Sequence, residues 1–199
     1  MKELYVALLH YPVVDRNKQL ITSSVTNMDL HDIARSCRTF GVTRYFVVHP
    51  SADEQALNKR ILSHWDSGYG ERSHPTRKDA LGLVSLVRDY SEALAEMERI
   101  SGEKPLQIGT SARSEGPKYV ALNDLKQLRE QRPVLLVFGT GYGLASQWNE
   151  RLDGFLGPIS GQNSNFNHLS VRSAVAIYLD RLCGAGELTK PAALAEIPQ

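Results

Sequence analysis

Short apolar runs alternate along the chain with segments in which apolar residues recur every three or four positions. Continuous apolar runs predict buried strands, and the periodic segments predict amphipathic helices. The predicted strands cover residues 4–10, 44–50, 83–88, 105–113 and 134–138. The predicted helices cover residues 28–41, 53–65, 91–102, 122–131 and 167–182, with a short one near 145–151. A loop rich in glycine, proline and charge is predicted between Ser67 and Asp79.

The alternation of strands and helices, repeated about five times, predicts an α/β fold. Its sheet is expected to be mostly parallel with helices on both faces, because the strand runs are apolar throughout rather than alternating. In the helix at 28–41, one face carries the apolar residues Leu30, Ile33, Ala34, Cys37 and Phe40. Asn27 or Asp29 is expected to cap the start of this helix, and Gly41 to end it.

The apolar run that begins at Val134 opens into a loop with Gly139, Gly141 and Gly143. This loop does not match the dinucleotide-binding pattern G-x-G-x-x-G, because its last position is Leu144. A phosphate-binding P-loop is excluded because no G-K-[S/T] sequence is present. The glycines alone are equally compatible with a tight turn and with a ligand site.

Two further loops favour a ligand site. Residues 109–116 and 156–165 each follow a short apolar run and are rich in small and polar residues. The carboxyl ends of parallel strands meet at one edge of a sheet, where ligands commonly bind. The three loops carry little charge and can offer many backbone polar groups. We therefore expect a flat, polar and weakly charged ligand such as an adenosine derivative.

Composition narrows the setting of the protein. Hydrophobic residues make up 42% of the chain and charged residues 23%, and the formal net charge is +1. No apolar run approaches the roughly 18 residues that a membrane span needs, and the first residues lack a signal-peptide pattern. We expect a cytoplasmic protein without a membrane partner. Cys37 and Cys183 are expected to be reduced thiols, and the scattered histidines predict no metal site.

Four segments in a fixed order carry a resemblance to a known family. The segments FGTGYGLA (138–145), LGPISG (156–161) and NHLSVRSAVAIYL (167–179) resemble the C-terminal motifs of the SPOUT methyltransferases, which methylate RNA. The segment MDLHDIARSCRTFGV (28–42) resembles their N-terminal motif. The resemblance implies a single SPOUT-like domain over residues 1–184, with a C-terminal deep trefoil knot and a loose tail at 185–199.

The resemblance also implies a cofactor, a substrate and an assembly. S-adenosylmethionine would be the methyl donor, and tRNA or rRNA would accept the methyl on a base nitrogen or a ribose 2′-OH. SPOUT enzymes are usually homodimers. The residues expected to bind the cofactor are Thr110, Ser111, Ala112, Phe138, Gly139, Thr140, Gly141, Gly143, Leu144, Leu156, Gly157, Pro158, Ile159, Asn167, His168, Leu169, Ser170 and Ser173. The candidate catalytic residues are Arg35, Asp29 and His168.

Several of these residues also have structural interpretations. Asp29 suits the positive end of a helix dipole, and His168 a partial helix cap. Arg172, in the first turn of the last predicted helix, is expected to be solvated. Within 68–78, the cations Arg72, His74, Arg77 and Lys78 around Tyr69 are a candidate RNA contact, or simply a charged surface loop.

Two other functions remain open at this point. One is a non-catalytic protein that binds S-adenosylmethionine with the same fold, since the usual Glu and Asn positions of ribose-methylating members hold Gly141 and Asp29 here. The other is an unrelated α/β module that binds a different adenosine ligand.

Overall fold

Parallel strands form the central sheet in this computed structural model, which describes residues 1–66, 74–113, 118–163 and 166–186. The strands are β1 (Leu4–Leu9), β2 (Val13–Val14), β3 (Leu20–Ile21), β4 (Arg44–Val48), β5 (Val84–Val87), β6 (Leu106–Thr110), β7 (Tyr119–Val120), β8 (Val134–Gly139) and β9 (Gly154–Leu156). The central sheet has the order β5-β4-β1-β8-β6-β9-β7, and each neighbouring pair is parallel. Strands β2 and β3 form a separate antiparallel pair.

Helices cover both faces of this sheet. They are α1 (Asn27–Thr39), α2 (Ala52–Asp66), α3 (Pro75–Leu81), α4 (Tyr90–Ser101), α5 (Leu122–Gln131), α6 (Trp148–Arg151) and α7 (Val171–Cys183). Along β1, Leu4, Val6 and Leu8 pack in a core with α1, α3, α5 and α7. Tyr5, Ala7 and Leu9 point to the opposite face and pack with α4 and α6. This alternation on a strand buried on both faces confirms the predicted fold class.

The structure changes the predicted start of two helices. Thr26 is the N-cap of α1, and Asp29 occupies the third helical position of a capping box. Neither Asn27 nor Asp29 is therefore the cap residue that the sequence predicted. The last helix begins at Val171 rather than Asn167, because Ser170 has an extended backbone and its hydroxyl accepts the N–H of Ser173.

Four elements were absent from the sequence prediction, one helix and three short strands. Pro75 opens helix α3 inside the segment predicted as a loop, as its fixed φ allows at the first helical turn. Strands β2, β3 and β7 are only two residues long, which is too short for a recognisable pattern. Of the predicted loop, residues 67–73 lie outside the described part of the chain.

The short strand β2 attaches the segment after β1 to the glycine loop after β8. The N–H of Val14 donates to the carbonyl of Gly143 at 3.1 Å, and the N–H of Tyr142 donates to the carbonyl of Val14 at 2.8 Å. Val13 and Leu144 form an antiparallel bridge between the same segments. As a result, residues far apart in sequence form one wall above the edge of the sheet.

The sequence also made predictions about the cysteines, membrane spans, metal sites, the knot and the domain bounds. Cys37 and Cys183 are free thiols, as predicted. Among the described residues, no helix is long and apolar enough to cross a membrane, and no group of three or more metal-ligating side chains is arranged to hold an ion. The trefoil knot and the division into a domain at 1–184 and a tail at 185–199 stay predictions, and residues 187–199 lie outside the described ranges.

Candidate active site at the carboxyl edge of the sheet

The loops that follow β6 and β8 and the segment that precedes α7 meet at one edge of the sheet. The side-chain amide of Asn167 donates to the carbonyl of Ala112 at 2.8 Å, which joins the segment before α7 to the loop after β6. The hydroxyl of Thr110 donates to the carbonyl of Val137 at 3.2 Å, which joins β6 to β8. Two of the three loops that the sequence predicted to converge, those after β6 and β8, therefore meet here, and of the described part of the third, at 156–165, Ile159 reaches the same cavity.

A cavity of about 990 Å³ opens between these loops. A volume of this size is at the upper end of the range for small-molecule sites. The predicted cofactor residues that line it are Thr110, Ser111, Ala112, Phe138, Gly139, Thr140, Gly141, Gly143, Leu144, Ile159, Asn167, His168, Leu169 and Ser170. The structure thus brings together most of the predicted set, and their role in binding stays a prediction.

Four predicted cofactor residues do not line the cavity: Leu156, Gly157, Pro158 and Ser173. Leu156 is 2% exposed and belongs to the hydrophobic core, so the structure does not place it at the cavity. The carbonyl of Gly157 accepts the hydroxyl of Tyr178, which turns that residue toward α7. Ser173 lies in the first turn of α7, where its N–H is bound by the cap residue Ser170.

Close backbone contacts explain two of the glycines. A Cβ on Gly139 would lie 2.7 Å from the amide nitrogen of Leu144, which the tight turn of the loop does not allow. Gly141 has a φ of +61°, and a Cβ there would lie 2.9 Å from the carbonyl oxygen of Val14. Both glycines therefore set the shape of the loop, and Gly141 also lets β2 approach it.

Asp29 is a buried carboxylate at the cavity wall, with 4% of its surface exposed. One of its oxygens, Oδ2, accepts the hydroxyl of Thr26 at 2.6 Å and the N–H of Thr26 at 3.3 Å. The other oxygen, Oδ1, accepts from Arg172 at 3.3 Å. These contacts support the structural interpretation of Asp29, because both oxygens already have donors. Its catalytic role stays a prediction.

Arg172 is not simply solvated, contrary to the sequence prediction. Its side chain is 27% exposed and lies between two carboxylates of α1. Besides its contact with Asp29, its Nε lies 3.4 Å from an oxygen of Asp32. The pairing holds the first turn of α7 against α1, so it fixes two walls of the cavity relative to one another.

The other two catalytic candidates lie in different surroundings. His168 lines the cavity, is exposed, and packs edge-on against Phe166. It is not the cap of α7, because Ser170 takes that position. Arg35 is exposed on α1 and is not among the residues that line the cavity. Within one chain, the described structure therefore does not bring Arg35 to the site.

The segment between β1 and α1 supplies cavity residues that the sequence analysis missed: Val14, Lys18, Ser23, Ser24 and Thr26. The available signal was the set of hydroxyl residues Thr22, Ser23, Ser24 and Thr26 directly before a helix. The contacts that bring this segment to the loop after β8 join residues more than a hundred positions apart, and no local pattern reports them.

The predicted RNA contact at 68–78 is only partly described. Tyr69 and Arg72 lie outside the described residues. The guanidinium of Arg77 stacks over Trp65 at 4.5 Å, and Lys78 donates to the carbonyl of Asp66 at 2.9 Å. These two cations hold α3 against α2, so their observed contacts favour the structural alternative.

Comparison with known proteins decides the family. The sequence profile of a family described as SAM-dependent RNA methyltransferases matches residues 3–184. The chain belongs to this family. This membership confirms the predicted cofactor class and excludes the unrelated adenosine-binding module.

Two relatives and one solved structure illustrate the similarity. A tRNA (guanine-N(1)-)-methyltransferase of Nitratidesulfovibrio vulgaris is 44% identical over 183 residues, which are 92% of this chain and 42% of that protein. An uncharacterized protein of Aquifex aeolicus is 40% identical over 183 residues, which are 91% of this chain and 88% of that protein. The fold resembles the SpoU methyltransferase AviRb from Streptomyces viridochromogenes in complex with AdoMet, with a TM-score of 0.56, 19% identity, and coverage of 92% of this chain and 60% of that one.

The described residues fit S-adenosylmethionine, the donor that this methyltransferase family uses. The cavity offers apolar surfaces for an adenine from Ile159 and Leu169, and backbone polar groups from the glycine loop. Gly143 lines it, and a Cβ on this residue would meet no atom within 4 Å, so the absent side chain leaves room beside the loop. Few charged groups line the described walls, in keeping with a ligand recognised mostly by neutral polar groups.

Proposed function

We propose that this protein transfers the methyl group of S-adenosylmethionine to RNA, with the cavity at the carboxyl edge as its active site. The convergence of the loops at 110–112 and 138–144 and of the segment at 167–170 around one cavity of about 990 Å³ carries this proposal. When bound, the cofactor supplies an electrophilic methyl group on a sulfonium, so the chain has mainly to bind and align the two reactants.

The two ends of the cavity suggest where each reactant lies. The loops after β6 and β8 and the segment before α7 surround one end, where the cofactor is expected. Ser23, Ser24 and Thr26 line the other end, beside β1, and Ser23 contacts Thr140 of the loop after β8 where the two ends meet. We therefore assign this second end to the acceptor nucleotide.

The mouth of the cavity has groups that suit RNA. Lys18 and Arg113 are exposed cations that line it, and Tyr142 presents a ring that is 60% exposed. Cations can contact phosphates while an exposed aromatic ring stacks on a base. The name of the Nitratidesulfovibrio relative makes tRNA the first substrate to test. That relative is more than twice as long as the matched segment, so its guanine-N1 specificity is not carried over.

We propose further that two copies of the chain associate in the cytoplasm. Arg35, the candidate that the resemblance places in catalysis, is exposed and outside the cavity of its own chain. A second subunit would bring it to the site. Mixing Arg35→Ala with Gly139→Ala tests this arrangement, because mixed dimers regain one intact site only if Arg35 acts across the interface. Restored activity supports the assembly, and two inactive variants that stay inactive when mixed contradict it.

Transfer of labelled methyl to RNA tests the function itself. Total tRNA and total rRNA should be taken from cells that lack the gene, so that the target position is unmodified. We expect the purified protein to label one of these fractions, and nucleoside mass spectrometry to identify the modified nucleotide. Binding of S-adenosylmethionine without labelling of either fraction would instead favour the non-catalytic alternative.

A further inference from the structure

A buried histidine lies directly beneath the acceptor end of the cavity. His10 follows β1, has no exposed surface, and places its Nδ1 atom 3.2 Å from the hydroxyl oxygen of Ser23. The N–H of Ser23 also donates to the carbonyl of His10 at 3.0 Å. The hydroxyls of Ser23 and Thr140 are in hydrogen-bond contact, and the hydroxyl of Thr140 lies 3.1 Å from the carbonyl of Leu9. These groups form a series of hydrogen bonds that runs from the imidazole of His10 to the carbonyl of Leu9 in β1.

The last acceptor in this hydrogen-bond series, the carbonyl of Leu9, determines the position of every proton in it. The carbonyl of Leu9 can only accept, so the hydroxyl of Thr140 donates to it. Thr140 then has no further proton, and the hydroxyl of Ser23 must donate to Thr140. His10 must in turn donate to Ser23 through Nδ1–H. This is the one arrangement in which all three bonds form. It leaves a lone pair on Nε2, which is buried and has no partner among the described residues.

This arrangement gives the cavity two hydrogen-bond acceptors with no proton to offer. Ser23 and Thr140 both line the cavity, and each has its proton committed while one oxygen lone pair is unused. The charged and titratable groups that act on His10 are Asp29, His49 and Glu54. Burial is the largest effect and lowers the pKa of His10 to about 4, so the imidazole is neutral near pH 7 and the arrangement holds.

We infer that Ser23 and Thr140 form an acceptor pair that selects an N–H or O–H donor of the RNA acceptor nucleotide, with His10 as the positioning residue that orients Ser23. This inference rests on the proposed function. It assigns the nucleotide because Ser23 comes from the segment between β1 and α1 and meets the glycine loop at Thr140, so the pair lies where the cofactor loops border the acceptor side of the cavity. An N–H or O–H group placed here can donate a hydrogen bond to the two hydroxyl oxygens. A group without a proton leaves both oxygens without that hydrogen bond, which costs binding free energy.

Substitution of Ser23, with its neighbour as the control, tests the acceptor pair. Ser23→Ala removes one acceptor, and Thr22→Ala alters the neighbouring hydroxyl, which is exposed and does not line the cavity. The probe is whichever RNA fraction the wild type labels, and cofactor affinity is measured separately with S-adenosylhomocysteine. We expect Ser23→Ala to lower kcat/KM for RNA at least tenfold, with the cofactor Kd changed less than threefold. Thr22→Ala should change both less than threefold.

Nitrogen-15 NMR of the imidazole tests the positioning role without any substrate. We expect His10 in the free protein near pH 7 to be the neutral Nδ1–H tautomer, and Ser23→Ala to move its Nδ1 signal. His10→Asn keeps a donor near Nδ1 and should retain most of the RNA kcat/KM, whereas His10→Leu should resemble Ser23→Ala. An Nε2–H tautomer, or a Ser23→Ala enzyme that loses cofactor affinity instead of RNA kcat/KM, would overturn the inference. An unlabelled wild-type reaction would overturn the proposed function itself.

Discussion

Arg172 on α7 donates to Asp29 on α1, with 3.3 Å between Nη1 and Oδ1. The carboxylate is buried and the arginine is partly buried, so water screens the pair less than it screens an exposed one. The pair connects the two helices whose first turns border the cavity. This contact makes the shape of the site depend on residues 143 positions apart in sequence.

Loss of this pair is expected to destabilise the fold. Arg172→Gln should reduce the free energy of unfolding by about 2 kcal/mol, because it leaves the carboxylate of Asp29 with one donor fewer. Chemical denaturation measures this change. Arg16→Gln, at an exposed arginine without a partner in the described structure, should have no effect beyond error. On an Asp29→Asn background the cost of Arg172→Gln should shrink, and an unchanged cost would mean that the pair contributes nothing.

The N-cap of α1 gives a second stability prediction. Thr26→Ala removes the oxygen that accepts the N–H of Asp29 at 3.1 Å, and should cost about 1 kcal/mol in the free energy of unfolding. Thr39→Ala is the matched control near the other end of the same helix. Among the described residues, the Thr39 hydroxyl bonds only back to the carbonyl of Arg35, so this change should be neutral or slightly stabilising. Equal costs for both variants would contradict the capping role.

His10 predicts a pH dependence of stability. Burial lowers the pKa of His10 to about 4, from 6.5 in the unfolded chain, so the unfolded state binds the proton first as the pH falls. The neutral imidazole therefore contributes fully above pH 6.5, and this contribution is lost as the pH falls toward 4. The loss amounts to about 3 kcal/mol over that range.

Thermal unfolding of the wild type and His10→Asn between pH 7 and pH 4 isolates this effect. Burial also lowers the pKa of His31, which acts in the same direction in both proteins. The difference between the two slopes therefore reports His10. Parallel curves for the two proteins would show that His10 is not buried in its neutral form.

Two glycines allow a matched test of the cofactor loops. Gly139→Ala would place a Cβ 2.7 Å from the amide nitrogen of Leu144, so the loop must move, and we expect cofactor affinity to fall at least tenfold. A Cβ on Gly157 meets no atom within 4 Å, and this residue does not line the cavity. Gly157→Ala should therefore leave the affinity within about twofold. Calorimetry with S-adenosylhomocysteine distinguishes the two, and a reversed order would place the cofactor beside Gly157.

Local sequence patterns predicted the elements with enough residues to show a period. Helix α5 runs from Leu122 to Gln131 as predicted. Leucines recur at positions 122, 125 and 128 among polar residues, which is a helical period over nearly three turns. The start of α7 was placed four residues early, since the polar run before Val171 is compatible with both a helix and an extended cap. Strands of two residues, such as β2, are stabilised by their partners rather than by their own pattern.

The site was predicted where residues signal the loop conformation and missed where only tertiary contacts define it. Gly139 and Gly143 mark their loop directly, and both line the cavity. Leu156 looked equally suitable, but the direction of its side chain depends on the register between β9 and β6 and turns it into the core. Ser23 gave only a weak signal, because its role depends on His10 and Thr140.

A crystal structure of the protein with S-adenosylhomocysteine tests the central claim most directly. The account predicts an adenosyl group in the cavity, with its adenine against Ile159 and Leu169 and its polar atoms bound by the loop at 138–144. The thioether sulfur should point toward Ser23 and the acceptor end. An adenosyl group bound elsewhere on the protein, or a sulfur directed away from Ser23, would contradict the account.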